Sequence, residues 1–86
     1  MEFEFDPAKS QANKAEHGIG FEDAQAIWKD DNRFELPLSS EDEPRFLMIG
    51  MIGEKHWGAI ITYRADRVRI ISARRARDVE IACYEG

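Results

Sequence analysis

The segment Trp57–Arg77, WGAIITYRADRVRIISARRAR, contains two apolar stretches separated by a short polar link. In Arg67–Ile70 the arginines alternate with aliphatic residues, and this period of two is typical of a strand that buries one face. The link Arg64–Asp66 is short enough for a hairpin turn. The segment therefore predicts two adjacent antiparallel strands, with aliphatic side chains towards the core and arginines towards solvent.

The rest of the predicted sheet lies upstream of this hairpin. A strand-like run, Arg45–Ile52, precedes the runs Trp57–Tyr63 and Arg67–Ala73, and Gly53–His56 forms a second short link. Three consecutive strands with short connections predict an antiparallel meander. The run Arg33–Leu38, RFELPL, contains a proline and is therefore expected to be an edge strand or an extended segment rather than a central strand.

Two helices are expected before the sheet. The pair Asp6–Pro7 has the residues preferred at a helix N-cap and first helical position, and Gly18 is suited to end that helix just after Glu16. The second helix, FEDAQAIWKDD, has apolar residues at the spacing of one helical face. These are Phe21, Ala24, Ile27 and Trp28.

The chain ends in RDVEIACYE, which predicts a short helix with Val79, Ala82 and Cys83 facing inward. A short strand, EFEF, opens the chain. We therefore predict one α+β domain, residues 1–86, in which helices pack on one face of an antiparallel sheet.

Charge is divided unevenly along the 86 residues, whose formal net charge is -5. Residues 1–43 carry four basic and twelve acidic side chains, whereas residues 44–86 carry eight basic and five acidic ones. Half of all the lysines and arginines lie between Arg64 and Arg77. Either the acidic half packs against the basic half, or the arginines form a local positive site for phosphate.

Several classes of protein do not fit the composition. One cysteine excludes a disulfide framework and fits a reducing compartment, no apolar run is long enough to span a membrane, and the acidic start does not resemble a signal peptide. We expect a soluble cytoplasmic protein. The chain lacks metal-ligand spacings and a glycine-rich phosphate loop, so we expect no metal and no cofactor.

Strand alternation predicts which arginines share a surface. It places Arg67 and Arg69 on one face together with Ile71 and Ala73, opposite Val68, Ile70 and Ser72. Guanidinium groups that lie close together repel one another unless anions lie between them. Asp66 and Asp78 are candidate structural anions, and a phosphate diester is the functional alternative.

The candidates for proton transfer each have a structural interpretation too. His17 lies at a predicted helix C-terminus, where histidine often interacts with the helix dipole. His56 falls in a predicted turn, where it would be solvated. Histidine is nevertheless the commonest general acid or base, and the hydroxyls of Tyr63 and Tyr84 can also transfer protons.

Three blocks of this sequence resemble the BrnT family of bacterial type II toxins. The first is FEFDPAKSQANKAEHGIGFEDAQAIW, the second is RFLMIG, and the third is RVRIISARRA followed by Glu80 and Tyr84. The first block fits the family pattern at Phe3, Phe5, Asp6, Lys9, Asn13, His17, Gly18 and Phe21.

The resemblance implies a fold similar to the RelE-type toxins, with two N-terminal helices, a curved antiparallel sheet and a short C-terminal helix. It also implies an endoribonuclease that inhibits translation and is neutralised by a BrnA-type ribbon-helix-helix antitoxin, through which alone operator DNA is bound. On this basis the expected catalytic residues are His17, Arg64, Arg69 and Tyr63, and those expected to bind RNA phosphates are Arg67, Arg74, Arg75 and Lys9.

Two positions depart from the family pattern. Glu16 stands where the family usually has lysine, and Arg77 replaces the usual threonine at the start of the last helix, which removes an N-cap worth about 1 kcal/mol. The alternative function is a catalytically weak module that holds the antitoxin and supports repression of the operon. A stand-alone RNA-binding protein is disfavoured by the acidic net charge.

Overall fold

The computed structural model describes all 86 residues, Met1–Gly86. Five strands form one sheet: β1 (Glu2–Glu4), β2 (Phe34–Leu38), β3 (Arg45–Ile52), β4 (Lys55–Arg64) and β5 (Arg67–Arg75). The helices are α1 (Pro7–His17), α2 (Phe21–Ala24), which continues directly as a 3-10 helix (Gln25–Lys29), and α3 (Asp78–Glu85). None of them is long and apolar enough to cross a membrane.

The sheet has the strand order β1-β5-β4-β3-β2, in which β3, β4 and β5 form the predicted three-stranded antiparallel meander and β2 extends it as a fourth antiparallel strand. β2 occupies an edge, as its proline indicated. The other edge differs from the prediction because β1 pairs in parallel with β5, with Phe3 opposite Val68. The sheet is therefore mixed. The helical segment between β1 and β2 carries the chain from one edge of the sheet to the other.

Helix α1 begins and ends where its sequence predicts. The Asp6 carboxylate accepts a hydrogen bond from the N–H of Ala8 at 2.9 Å, and Pro7 follows it as the first helical residue. At the other end Gly18 adopts φ 81° and donates its N–H to the carbonyl of Lys14 at 2.9 Å. Only glycine adopts this left-handed conformation without strain, so the helix stops directly after His17.

A buried amide joins α1 to β5. Nδ2 of Asn13 donates to the carbonyls of Ile19 and Ala73 at 2.8 Å each, and its Oδ1 accepts from the N–H of Ala73 at 3.2 Å. β1 pairs with β5 only as far as Arg69. Beyond that point Asn13 supplies the hydrogen-bond partners for the N–H and C=O of Ala73 at the edge of β5. The amide thereby fixes the C-terminal half of α1 beside β5.

The second predicted helix is divided rather than continuous. After one α-helical turn the chain tightens into the 3-10 helix, whose Ile27 is fully buried and whose Trp28 packs edge-on against Phe3 at 5.0 Å. This segment lies directly on β3, because a Cβ atom on Gly50 would come within 3.0 Å of the Ile27 side chain. A side chain at position 50 would force Ile27 to shift, so the close approach favours glycine there.

The sheet has two different faces. The core face is covered by α1, α2 and the 3-10 helix, and its buried side chains come from β3, β4 and β5: Met48, Ala59, Ile61, Val68, Ile70 and Ala73. A bulge between Ile60 and Ile61 shifts the β4–β5 register by one residue. Ala73 therefore joins Val68 on the core face, and the expectation that it lies with the arginines is wrong.

The opposite side, the α3 face, is partly covered by α3. Leu47 and Ile49 of β3 point to this face, and the inward residues of α3 are the buried Glu80 and the half-buried Ile81 and Tyr84. The predicted inward face of α3 was wrong: Val79 is 69% exposed, and Ala82 and Cys83 are exposed as well. Ion pairing by Glu80, which the pattern of apolar residues does not reveal, sets the rotation of the helix.

Candidate functional site

Four arginines of the meander project from the α3 face. Residues that pair across neighbouring strands point to the same side, and Arg64 pairs with Arg67 while Thr62 pairs with Arg69. Arg67 and Arg69 flank the core residue Val68 along β5, so their side chains point away from the core face. Arg45 alternates with Phe46 in the same way. We call Arg45, Arg64, Arg67 and Arg69 the arginine face.

Part of the arginine face is open to solvent. The side chains of Arg64 and Arg67 are 52% and 57% exposed, whereas Arg69 is 28% exposed. Arginine forks on an open surface offer several fixed N–H donors to an approaching phosphate. The geometry therefore favours binding of an extended anion across β4 and β5.

Three of these arginines contact carboxylates from the N-terminal half of the chain. Arg69 lies 2.9 Å from Glu4 and Arg67 lies 3.7 Å from Glu2, since β1 runs alongside β5; Arg64 lies 3.6 Å from Glu43. Asp66 and Asp78, the anions expected from the sequence, make no such contact. The acidic half thus packs against the basic half and reduces the positive charge of the arginine face.

Arg45 differs from the other three. It is half-buried, no carboxylate lies within 4.0 Å of it, and its buried Nε has no hydrogen-bond acceptor within the chain. Sequence reasoning did not include Arg45 in the site. Alternation within the strand-like run Arg45–Ile52 could have identified it, because that pattern puts Arg45 on the face opposite to Phe46. In the observed register Phe46 pairs with Ile61, so the next pair along is Arg45 and Thr62.

The remaining arginines of the cluster lie at the far end of β5. Arg74 forms a two-point ion pair with Glu80 of α3 and is held there. Arg75 has no carboxylate partner; its guanidinium carbon lies 5.5 Å from the centre of the Trp57 ring, and its Nε donates to the carbonyl of His56 at 3.3 Å. A cation over an aromatic ring keeps its charge available to a further anion.

His17 lies at the same end of the molecule as Arg75. The next residue, Gly18, lines an open cleft together with Trp57, over which Arg75 lies. The His17 side chain is 35% exposed and its charged neighbour is Glu16, at 3.7 Å. Arg64 and Arg67 occupy the opposite end of β5, so the structure separates the predicted site into two parts.

Tyr63 and Lys9 do not lie on the arginine face. Tyr63 pairs with Val68 and therefore points to the core-face side, where its hydroxyl donates a hydrogen bond to the carboxylate of Glu35. Burial, together with that hydrogen bond, raises the pKa of Tyr63 to about 12. Lys9 is exposed on α1, the helix that packs beside β5 on the core side. Neither is placed to act with Arg64 or Arg67.

His56 is more enclosed than a turn position suggested. Its side chain is 16% exposed, its ring meets the Tyr84 ring edge-on at 5.1 Å, and its Nε2 lies 3.5 Å from Glu85. The Tyr84 hydroxyl donates to Oδ2 of Asp30 at 2.6 Å, although the two residues are 54 positions apart in sequence. No local pattern connects them, so sequence reasoning missed this cluster, which attaches α3 to the sheet.

The Asp30 carboxylate is the centre of that attachment. It also accepts hydrogen bonds from the N–H groups of Met51 and Asn32, at 2.7 and 2.9 Å. Burial opposes ionisation of Asp30, but the hydrogen bonds from Tyr84, Met51 and Asn32 outweigh it and lower its pKa. No group of three His, Cys, Asp or Glu side chains is arranged to hold a metal ion.

The chain matches the model of a known protein family. The family model described as "Ribonuclease toxin, BrnT, of type II toxin-antitoxin system" matches residues 5–80, which include α1, the whole meander and the start of α3. No curated protein matches the chain significantly. The matched region covers well over half of the 86 residues, and the chain therefore belongs to the BrnT family of type II ribonuclease toxins.

Proposed function

We propose that this chain is an endoribonuclease that inhibits translation by cutting RNA, and that the arginine face holds the RNA backbone. One observation carries this proposal: four arginines project from one sheet face, and two of them are more than half exposed. Contacts between arginines and phosphates supply most of the non-specific affinity for nucleic acids. The family membership supplies the class of reaction.

The proposed reaction needs only groups that the RNA and the protein provide. The 2′-oxygen forms a bond to the adjacent phosphorus while the bond to the 5′-oxygen of the next nucleotide breaks. A base removes the 2′ proton, and an acid gives a proton to the departing oxygen, which leaves a 2′,3′-cyclic phosphate and a 5′-hydroxyl. Fixed guanidinium groups stabilise the charge that develops on the phosphoryl oxygens, so cleavage is expected to be independent of metal ions.

We assign the scissile phosphate to the end of β5 where Arg75 and His17 lie. Arg75 supplies a positive charge that no carboxylate of the chain contacts, and Trp57 beside it offers an aromatic surface. His17 is the candidate for proton transfer there. Tyr63 is a poorer base because its pKa is raised to about 12, so its hydroxyl stays protonated near neutral pH. Arg64, Arg67 and Arg69 then contact the flanking backbone.

A type II toxin has a protein antitoxin as its partner. We propose that this partner is a BrnA-type ribbon-helix-helix protein and that operator DNA is contacted through it. We further propose a RelE-like relationship for the fold, since two helical segments precede the antiparallel strands β2–β5 and a short helix follows them.

The test combines growth with purified components. Induction of the chain alone in a bacterium is expected to slow growth and protein synthesis, and co-expression of the antitoxin is expected to restore both. The purified chain is expected to cut RNA in the presence of EDTA and to leave RNA with a 2′-O-methyl group at the cut site intact. Cleavage that disappears in EDTA and returns with magnesium would contradict the proposed mechanism.

A second candidate is a catalytically weak module that holds the antitoxin. The observation that favours it is ion pairing, since Arg64, Arg67, Arg69 and Arg74 each contact a carboxylate of the same chain. Glu16, beside His17, adds negative charge where the family resemblance leads us to expect lysine. Folded protein that binds the antitoxin but neither cuts RNA nor slows growth would favour this candidate, and Glu16→Lys would be the first change to restore activity.

A further inference from the structure

The row of side chains that crosses the arginine face at Thr62 has an unusual composition. Thr62 of β4 is opposite Arg69 of β5, and continuing the β3–β4 register by one residue places Arg45 opposite Thr62 on its other side. Neighbouring strands are about 4.8 Å apart, so the two arginines begin about 10 Å from each other. Both side chains are long enough to meet over the short threonine.

Thr62 itself is enclosed. It is 1% exposed, and its hydroxyl donates to the carbonyl of Pro44 at 2.7 Å. The threonine hydroxyl is thereby satisfied and fixes the start of β3 against β4. Thr62 is therefore buried and has no free hydroxyl donor. The guanidinium groups of the two flanking arginines are the donors that remain in this row.

Only one of the two arginines in this row has a carboxylate partner. Arg69 contacts Glu4 at 2.9 Å, but Arg45 has no carboxylate, and its buried Nε lacks an acceptor within the chain. Solvent does not reach this Nε, so an oxyanion would bind at the terminal Nη groups of the half-buried Arg45 and balance the remaining charge there.

We propose that Arg45 and Arg69, above Thr62, form a binding subsite for one phosphodiester oxyanion. This deepens the proposed function, on which its biological role rests, by adding Arg45 to the RNA-binding residues and by fixing where one phosphate lies. The subsite lies away from Arg75, so the phosphate that it holds is one that flanks the cut and positions the strand. The two arginines are positioning residues in this role.

The test uses a single-stranded 2′-O-methyl oligoribonucleotide, which has phosphates but cannot be cleaved by attack of the 2′-oxygen. Arg45→Ala is expected to weaken its binding on the order of 10- to 100-fold, the usual size for loss of a hydrogen-bonded charged contact. Arg45→Lys keeps the charge without the fork and is expected to recover part of the affinity. Lys14 is an exposed residue of α1, so Lys14→Ala removes one positive charge away from the arginine face and is expected to leave affinity nearly unchanged.

A direct readout separates binding from folding. In NMR spectra of the wild-type chain, the side-chain Nε–H signals of Arg45 and Arg69 are expected to shift on titration with the oligonucleotide, with thermal melting recorded for each variant. Unshifted signals, or an Arg45→Ala variant that stays folded and binds as tightly as wild type, would overturn the subsite.

These results can be distinguished from failure of the proposed function. Binding that depends on Arg45 in a protein that cuts no RNA would leave the subsite standing and refute the ribonuclease proposal. Cleavage and binding that are both indifferent to Arg45→Ala would refute the subsite and leave the ribonuclease proposal standing.

Discussion

Arg74 and Glu80 form a two-point ion pair that fastens α3 to the end of β5, with Nη1–Oε1 and Nη2–Oε2 distances of 2.9 and 3.0 Å. Oε1 of Glu80 also accepts the N–H of Arg77 at 2.8 Å. The family resemblance leads us to expect an N-cap threonine where Arg77 stands, and the Arg77 side chain cannot accept a hydrogen bond. Glu80 partly compensates, because its carboxylate reaches back to the start of the helix.

Glu80→Gln is expected to lower the free energy of unfolding at neutral pH by about 1–3 kcal/mol, since it removes the charge from a buried pair and leaves Arg74 without its anion. Chemical denaturation followed by circular dichroism measures this change. Glu85→Gln is the matched control on the same helix: Glu85 is 62% exposed, so its change is expected to stay within about 0.5 kcal/mol.

The same pair predicts how stability depends on pH. The hydrogen bond from Arg74, opposed by burial, lowers the pKa of Glu80 below its ordinary value of 4.5. A carboxyl group with a lowered pKa in the folded state stabilises the fold above the unfolded pKa and loses that contribution as pH falls through the folded one. The stability difference between wild type and Glu80→Gln is therefore expected to shrink from about pH 5 to pH 3. A difference that stays constant over this range would count against the assignment.

Local sequence signals predicted the elements well because their causes are local. Asp6 and Gly18 determine the ends of α1 through caps within the same helix. Alternation in Arg67–Ile70 predicted which side chains face the core, and Pro37 placed its strand at an edge. Each of these depends on residues close together in the chain.

The failures of prediction come from contacts between distant segments. Parallel pairing of β1 depends on β5, more than sixty residues away, and the bulge near Ile61 changes the side on which Ala73 lies. The partners of Arg67 and Arg69 are Glu2 and Glu4 rather than nearby aspartates for the same reason. The sequence therefore shows that arginines are concentrated between Arg64 and Arg77, but it does not show that the fold divides them between the two ends of β5.

Arg75→Ala is expected to slow RNA cleavage on the order of 100-fold, because it removes a charge that stabilises the transition state while the exposed position contributes little to folding. Single-turnover rates on a defined RNA, with melting temperatures recorded in parallel, measure the effect. Arg77→Ala, an arginine two residues away that makes no ion pair, is the matched control and should retain most of the rate. Equal losses in the two variants would mean that general charge, rather than the position of Arg75, matters.

The two histidines are expected to respond differently to removal. His17→Ala should reduce the cleavage rate by about 100- to 10,000-fold if the imidazole transfers a proton, with little change in melting, since His17 is an exposed residue whose ion-pair partner is an exposed glutamate. His56→Ala should mainly lower the melting temperature, because it removes the ring that packs against Tyr84. A His17→Ala variant with full activity would reassign proton transfer, and His56 would be the next candidate.

The carboxylates of β1 are expected to compete with RNA for the arginine face. Glu4→Gln leaves Arg69 without its partner anion and should tighten binding of a 2′-O-methyl oligonucleotide by up to about fivefold, the scale of an exposed or half-exposed ion pair. The gain should diminish at high salt, because screening weakens both interactions. Glu54→Gln, at an exposed residue in the turn between β3 and β4 that forms no ion pair, controls for net charge. A weaker complex with Glu4→Gln would show that Glu4 orients Arg69 instead of competing for it.

The arginine face is also expected to form part of the surface that the antitoxin covers. An antitoxin segment rich in Asp or Glu would replace the contacts that Glu2 and Glu43 now make, since both lie 3.6–3.7 Å from their arginines on the exposed surface. Changing both Arg67 and Arg69 to Ala is therefore expected to weaken the purified complex, measured by titration calorimetry. The wild-type complex is expected to contain two toxin chains, because ribbon-helix-helix proteins dimerise. A complex that stays equally tight after the double change would place the antitoxin on another surface, and neutralisation would then have to act without covering the RNA site.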